Sequence, residues 1–423
     1  MNKLSIAFAL ALVGLTSNVS AADFLIRNAE VHTLTSAGKL TNADVLVSDG
    51  KIAAVGRGLS APAGATIVEA NGKSVTPGLF AGLTAIGVEE VSGESSTVDE
   101  NLRLNAPAHE MQWRPEFDVT LAYNPRSVLV PIAQVEGLTW TVIEPGTPAG
   151  GSMLAGQGAA VALDGRFDAV LEGSRSMFVS IGSDVLPLTG GSRAAQYMLL
   201  DQAVREARGT APLGDRALLL PAGREVLARY LKGGRFVFNV HRAADIRQVL
   251  ALSKRYGIRP VIAGGAEAWV VAEELAAAEV PVLLDSLVNL PITFDVIGAR
   301  LDNAALLARA GVRVGFTQVL SDRSHNARKI RQVAGNAVAH GLPWDLALAG
   351  LTSVPAEIFG LSQTRGRIAE GQVADLVLWS GDPLEVTTVA EQVWIGGNAI
   401  SMRSRQTELR DRYLEKLRRG AAR

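Results

Sequence analysis

The sequence predicts an α/β protein. Residues 77–365 read as a TIM-like (β/α)₈ barrel, with a small β-sandwich domain formed by both chain ends, residues 22–76 and 366–403. Three observations predict it. From Pro77 to about Gly360, continuous apolar runs of β type alternate with helical patterns, the mark of a parallel sheet covered on both faces. About 280 residues of this alternation favour a closed barrel over an open sheet. Short strands bounded by tight-turn signals precede that stretch and return after it. A doubly wound sheet is the alternative, and it is disfavoured because no Gly-rich phosphate loop follows a strand.

Composition sets the outer bounds. The chain has 423 residues, 41 Lys+Arg against 42 Asp+Glu, and 48% hydrophobic residues. That balance excludes a disordered chain and gives no electrostatic case for nucleic acid. The chain has no cysteine, which excludes disulfides, thiolate metal sites and a cysteine nucleophile. Its five histidines suffice for one metal site.

Taken in chain order, the N-terminus reads as a secretory signal peptide over residues 1–21. Lys3 supplies the charge, Leu4 to Leu15 is an apolar stretch too short to span a bilayer, and Val19-Ser20-Ala21 is a small-residue cleavage site. An uncleaved anchor is the alternative. The expected location is periplasmic or secreted, with no membrane span after the signal is removed. Next come Phe24-Leu25-Ile26, Val31–Leu34 and Asp44–Val47, then Asp49-Gly50 between two β-rich runs, a strong hairpin signal. In the barrel region the expected strands include Leu138–Ile143, Phe236–Val240, Val261–Ala263, Val280–Leu284 and Val312–Phe316. The expected helices between them include 243–256 and 267–278.

Ile330, Val333, Ala334, Ala337 and Val338 make an apolar stripe at helical spacing, closed by Gly341 and Pro343. Another helix starts near Trp344-Asp345, and Ser353 is the expected cap of the one containing Pro355. The strands around Ala374–Trp379 and Val393-Trp394-Ile395, with Gly396-Gly397 as a tight turn, complete the N-terminal sheet. Residues 404–423 form an amphipathic helix, with Leu409, Tyr413, Leu414 and Leu417 on one stripe. It is expected to lie on the body, with dimer formation as the alternative.

Several segments together resemble the amidohydrolase superfamily, in particular its imidazolonepropionase-like and prolidase-like bacterial members. They are Ile26–Val31, Asp44–Val47 with Asp49–Gly56, Val75-Thr76-Pro77-Gly78-Leu79-Phe80, His241–Ile246 and Gly371–Val377. The resemblance covers nearly the whole chain after residue 21. It implies the barrel-plus-sandwich fold and metal-assisted hydrolysis of amide-type C–N bonds, with the site at the C-terminal ends of barrel strands.

The chain departs from that pattern where the chemistry should lie. The positions matching the family's His-x-His pair are Leu83 and Ala85, which strand alternation would aim at one side. The bridging-lysine position falls on Phe178, the sixth-strand ligand on Gly264, and only His241 retains a ligand type. Gly264 is a place where a backbone or ligand can approach closely. The eighth-strand acid has no direct match. Asp322 lies several residues late, as a displaced acid or a helix N-cap, and His325 follows as a substrate-binding or capping residue. Glu89 and Glu90 are further candidates, or solvated loop acids. His32, His109 and His340 read as structural.

One His and one Asp hold zinc poorly, since catalytic zinc takes three protein ligands. Two readings follow. One is an exported C–N hydrolase with a displaced site, with Asp322 and His325 as catalytic residues and His241 as ligand to one zinc-like divalent ion. The other is a metal-free member without cofactor that binds a small molecule, or pairs with itself or with a homologous subunit. The Gly-rich loop 145–152 and residues 154–158 are candidate pocket linings.

Overall fold

The computed structural model describes residues 22–103, 112–211, 214, 216–319 and 322–421. The leader reading of residues 1–21 and His109 lie outside the described residues. Among the described residues no helix is long and apolar enough to cross a membrane.

Both chain ends contribute to one sheet. Its strands are β1 (Phe24–His32), β2 (Lys39–Ser48), β3 (Lys51–Gly56), β4 (Thr66–Glu69) and β5 (Ser74–Pro77). The second sheet is built from β6 (Leu79–Thr84), β7 (Leu138–Ile143), β8 (Leu154–Ala162), β9 (Ser176–Ser180), β10 (Arg235–Val240), β11 (Arg259–Gly264), β12 (Val282–Leu284) and β13 (Val314–Phe316). The chain then returns to the first sheet with β14 (Leu376–Trp379), β15 (Ala390–Ile395) and β16 (Asn398–Ala399).

The first sheet runs β16-β15-β14-β5-β1-β2-β3, with β4 on β1. All of these strands belong to one hydrogen-bonded sheet, and β3 also meets the segment just before β14 through a bridge between Lys51 and Val373. Its own core includes Ile26, Val45, Ile52, Val75, Leu376 and Trp394. The Asp49-Gly50 turn joins β2 to β3 with both residues at positive φ (50° and 74°), as a type I′ hairpin requires. Gly396 and Gly397 do the same between β15 and β16.

The second sheet runs β6 through β13 in chain order and closes nearly into a barrel. It is not an unbroken parallel set. β8 pairs antiparallel with both β7 and β9, while the other neighbours are parallel. The connections 144–153 and 163–175 contain no helix, and a parallel crossover of this kind is usually built around one. The seam between β13 and β6 is bridged by side chains: Leu83 N–H donates to Thr317 Oγ1 at 2.9 Å. Phe80, Leu83, Trp140, Phe178, Val237, Ala263, Leu283 and Phe359 fill the interior.

Helices Ala243–Tyr256, Ile330–Ala339 and Trp344–Gly350 lie where periodicity placed them. The expected 267–278 helix splits into a 3₁₀ turn, Ala268–Val271, and Ala272–Ala277. Ser353 is the first residue of its helix, not the cap, which is Thr352. The C-terminal helix Arg405–Ala421 leaves Tyr413, Leu414 and Leu417 exposed.

Candidate functional site

The C-terminal ends of β7, β9, β10, β11 and β13 surround a cavity of about 180 Å³. Glu144 follows β7, Ser180 ends β9, and Asn239 and His241 lie at the end of β10. Thr317 and Gln318 follow β13.

The positions matching the family's ligands are packed, not merely changed. Leu83 and Phe178 are fully buried in the same interior cluster. Gly158 gives Phe178 its room: a Cβ there would lie 2.7 Å from Phe178 Cε2. Leu83 and Ala85 do not share one side, as strand alternation had suggested. Gly82, at φ 95°, lies within an irregular stretch of β6, and Ala85 packs in a separate cluster with Val88, Val119 and Ile143. Ala85 N–H donates to Ser324 Oγ at 2.9 Å.

His241 lines the cavity, and its Nδ1 is buried without a hydrogen-bond partner. Burial lowers its pKa against the opposing pull of Asp295 and Asp184, so the neutral imidazole is favoured. Gly264 makes space for the ring. A Cβ on Gly264 would fall 2.5 Å from His241 Cε1 and 3.0 Å from Nδ1. The close approach expected at Gly264 is thus made by the chain's own histidine.

The residue that dominates the mouth is one that sequence reading missed. Arg323 Nη2 lies 3.4 Å from Glu100 Oε2 and 3.6 Å from Glu144 Oε2. Desolvation works against its charge, but Glu144, Glu100 and Glu89 outweigh it and raise its pKa. Burial, with Glu89 and Glu144 nearby, raises the pKa of Glu100 despite Arg323. Asn239 Nδ2 donates to Glu144 Oε1. Glu89 is buried in this group, which rules out a solvated loop acid there; Glu90 accepts Val128 N–H at 3.1 Å. The available signal for Arg323 was its place just after the eighth strand, beside the acid being sought.

Asp322 faces away from this cavity. It is exposed, has φ 62°, accepts from Ser92 Oγ at 3.0 Å, and lines a cleft on the far side of Arg323. It is not a helix N-cap, since the following 3₁₀ turn Ala327–Lys329 has Asn326 in that position. His325 lines neither cavity. Of the loop 145–152, Thr147 reaches the cavity, whereas 154–158 lies within β8. His32 packs on Trp344 at 4.9 Å between ring centroids, and His340 Nδ1 lies 2.8 Å from the carbonyl of Asn336.

The donor set does not fit a divalent metal. Among the described residues no group of three His, Cys, Asp or Glu side chains is arranged to hold one. Leu83, Ala85, Phe178 and Gly264 offer no side-chain donor. What remains is a small polar mouth with orphaned groups: Arg323 Nε, His241 Nδ1 and Gln318 Oε1 are all buried without partners. Buried polar atoms of this kind call for a bound molecule or ordered water.

A model of the amidohydrolase family matches residues 330–400, a stretch outside the cavity lining. Amidohydrolase tasK of Hapsidospora irregularis is 42% identical over 74 residues, 18% of this chain and 8% of that protein. Imidazolonepropionase of Acinetobacter baumannii is 32% identical over 94 residues, 22% of each protein. The chain thus spans less than a quarter of these curated relatives. A crystal structure of an amidohydrolase from Thermotoga maritima MSB8 superposes with a TM-score of 0.77 at 24% identity, covering 90% of this chain and all of that one.

Proposed function

This chain belongs to the amidohydrolase superfamily, and from that premise we propose that it is an exported, metal-independent member. It keeps the barrel of a hydrolase of non-peptide C–N bonds as a binding site for a small polar molecule. One observation carries the reading: the positions matching the metal ligands are filled by packing side chains, Leu83 and Phe178 in the barrel interior above all. Losing a ligand to a buried hydrophobe fills the metal's space instead of retuning the metal. Residues 1–21 are the proposed export signal.

The chemistry of the mouth narrows the ligand. Arg323 is matched by Glu144 and Glu100, and Asp295 by Arg193. Asp184, which is exposed, also lines the cavity, and the open buried groups are a donor at Arg323 Nε, an acceptor at Gln318 Oε1 and the His241 Nδ1, a donor or an acceptor according to tautomer. A neutral molecule carrying both an N–H and a carbonyl suits them.

Two specific observations support further readings. The orphaned His241 Nδ1 favours a residual hydrolase built on His241. Its proposed companions Asp322 and His325 lie outside the cavity lining. The loop after β12 exposes Leu287, Leu290, Ile292, Phe294 and Ile297 beside the mouth, with Phe294 86% exposed. A patch of this kind favours pairing with a homologous subunit.

Elemental analysis of protein purified from the periplasm, with a hydrolysis panel of amides, lactams and dipeptides, tests the proposal. The expected result is no stoichiometric metal and no turnover. Stoichiometric zinc, nickel or manganese that disappears in His241→Ala would refute it.

A further inference from the structure

The family's metal supplies positive charge at the barrel mouth, and this chain lacks the ligands to hold one. The mouth nevertheless gathers carboxylates. Glu144 comes from the end of β7, and Glu89 and Glu100 from the segment after β6. Glu144 and Glu89 are 5% and 8% exposed. Buried carboxylates need a counter-charge.

We propose that Arg323 is the resident cation of this mouth, a guanidinium built into the chain that takes over the charge-centring role of the lost metal. The inference rests on the metal-independent reading above. Three features support it. First, the guanidinium joins carboxylates from separate elements: Nη2 contacts both Glu100 and Glu144, and Glu89 acts on it electrostatically. Second, the segment that carries it is fixed at the positions of the former His-x-His pair. Thr317 accepts from Leu83 N–H, and Ser324 accepts from Ala85 N–H, both at 2.9 Å. The substitution of the ligands and the delivery of the arginine therefore occur at the same strand end. Third, the network continues to the opposite wall through the hydrogen bond from Asn239, at the end of β10, to Glu144.

The exchange has a functional consequence. A guanidinium has donors only and no vacant coordination position. It holds carboxylates together, and its buried Nε–H remains for a ligand oxygen. It does not generate a bound hydroxide as a metal ion does. A mouth organised in this way retains recognition and loses water activation.

The test uses the full chain after removal of residues 1–21, with thermal unfolding and metal content as readouts. Both are independent of the ligand and turnover assays. Wild type is expected to unfold at the same temperature with chelator and with added zinc or manganese. Arg323→Ala is expected to lower Tm by at least ~3 °C, since it leaves buried carboxylates uncompensated. Low-millimolar methylguanidinium, used as the probe, should recover more than half of that loss and leave wild type unchanged. Arg323→Lys, which keeps the charge, should retain more than half of the wild-type margin. It serves as the reporter if Arg323→Ala does not fold. Three results would overturn the proposal: a wild-type Tm that rises with zinc or manganese, an Arg323→Ala protein as stable as wild type, or an Arg323→Lys protein no more stable than Arg323→Ala.

Discussion

The imidazole of His241 rests on the bare backbone of Gly264, so close that a methyl group there would sit 2.5 Å from Cε1. The glycine also holds φ at 90°, a conformation that other residues adopt at a cost. Gly264→Ala should therefore displace the ring and strain the strand end together. The expected loss is about 2 kcal/mol or more, read from urea unfolding. A change below about 0.5 kcal/mol, the scale of an inert surface substitution, would rule out this account.

Restoring the missing ligands should not restore a metal site. Leu83 lies in the barrel interior with Phe178, and Ala85 packs in a different cluster. The double variant Leu83→His/Ala85→His buries polar rings at two apolar sites that do not converge. It should lose about 2–5 kcal/mol, the cost of a disrupted core position. Elemental analysis should find no stoichiometric zinc. One zinc per chain would show that the two positions converge after all.

What was legible in the sequence follows from the kind of interaction involved. The Asp49-Gly50 hairpin, the 243–256 helix and the helix ending at Gly341 were readable because local periodicity and turn chemistry decide them. The reversed direction of β8 was not, because a continuously buried strand carries the same apolar pattern in either orientation. His241 was found by its place after the fifth strand. Arg323 was missed because its role depends on Glu89, Glu100 and Glu144, more than 170 residues away in the chain. Glu89 looked like a surface acid for the same reason. Asp322, adjacent to Arg323, pointed to the right segment, yet its side chain bonds to Ser92 in the neighbouring cleft.

The buried imidazole gives stability a pH dependence whose sign is fixed. Burial lowers the pKa of His241 in the folded protein, whereas the unfolded chain protonates it near 6.5. As pH falls below that value, the unfolded state takes up the proton first, and stability is lost. His241→Gln removes this term. The stability difference between wild type and His241→Gln should shrink, or turn in favour of the variant, between about pH 8 and pH 5. His32 is depressed likewise, and Glu100 and Asp285 are raised. These groups are present in both proteins and cancel in the difference. A difference independent of pH would mean that His241 titrates normally in the fold.

The seam between β13 and β6 offers the last test. It depends on two side-chain acceptors, Thr317 Oγ1 for Leu83 N–H and Ser324 Oγ for Ala85 N–H, and all four residues are buried. Thr317→Val keeps the shape and removes the acceptor, leaving a buried N–H unpaired. Ser324→Ala does the same at the second site. Each should cost about 1–3 kcal/mol. The local effect is more diagnostic than the global one. Amide hydrogen exchange should accelerate at Leu83 in the first variant and at Ala85 in the second, because each amide loses its own acceptor. Since Ser324 adjoins Arg323, Ser324→Ala should also weaken the Arg323–Glu144 contact, measurable as a smaller coupling energy in an Arg323→Ala/Glu144→Gln double-mutant cycle. If exchange at the two amides stays at wild-type rates, the barrel is closed there by something other than these two hydroxyls.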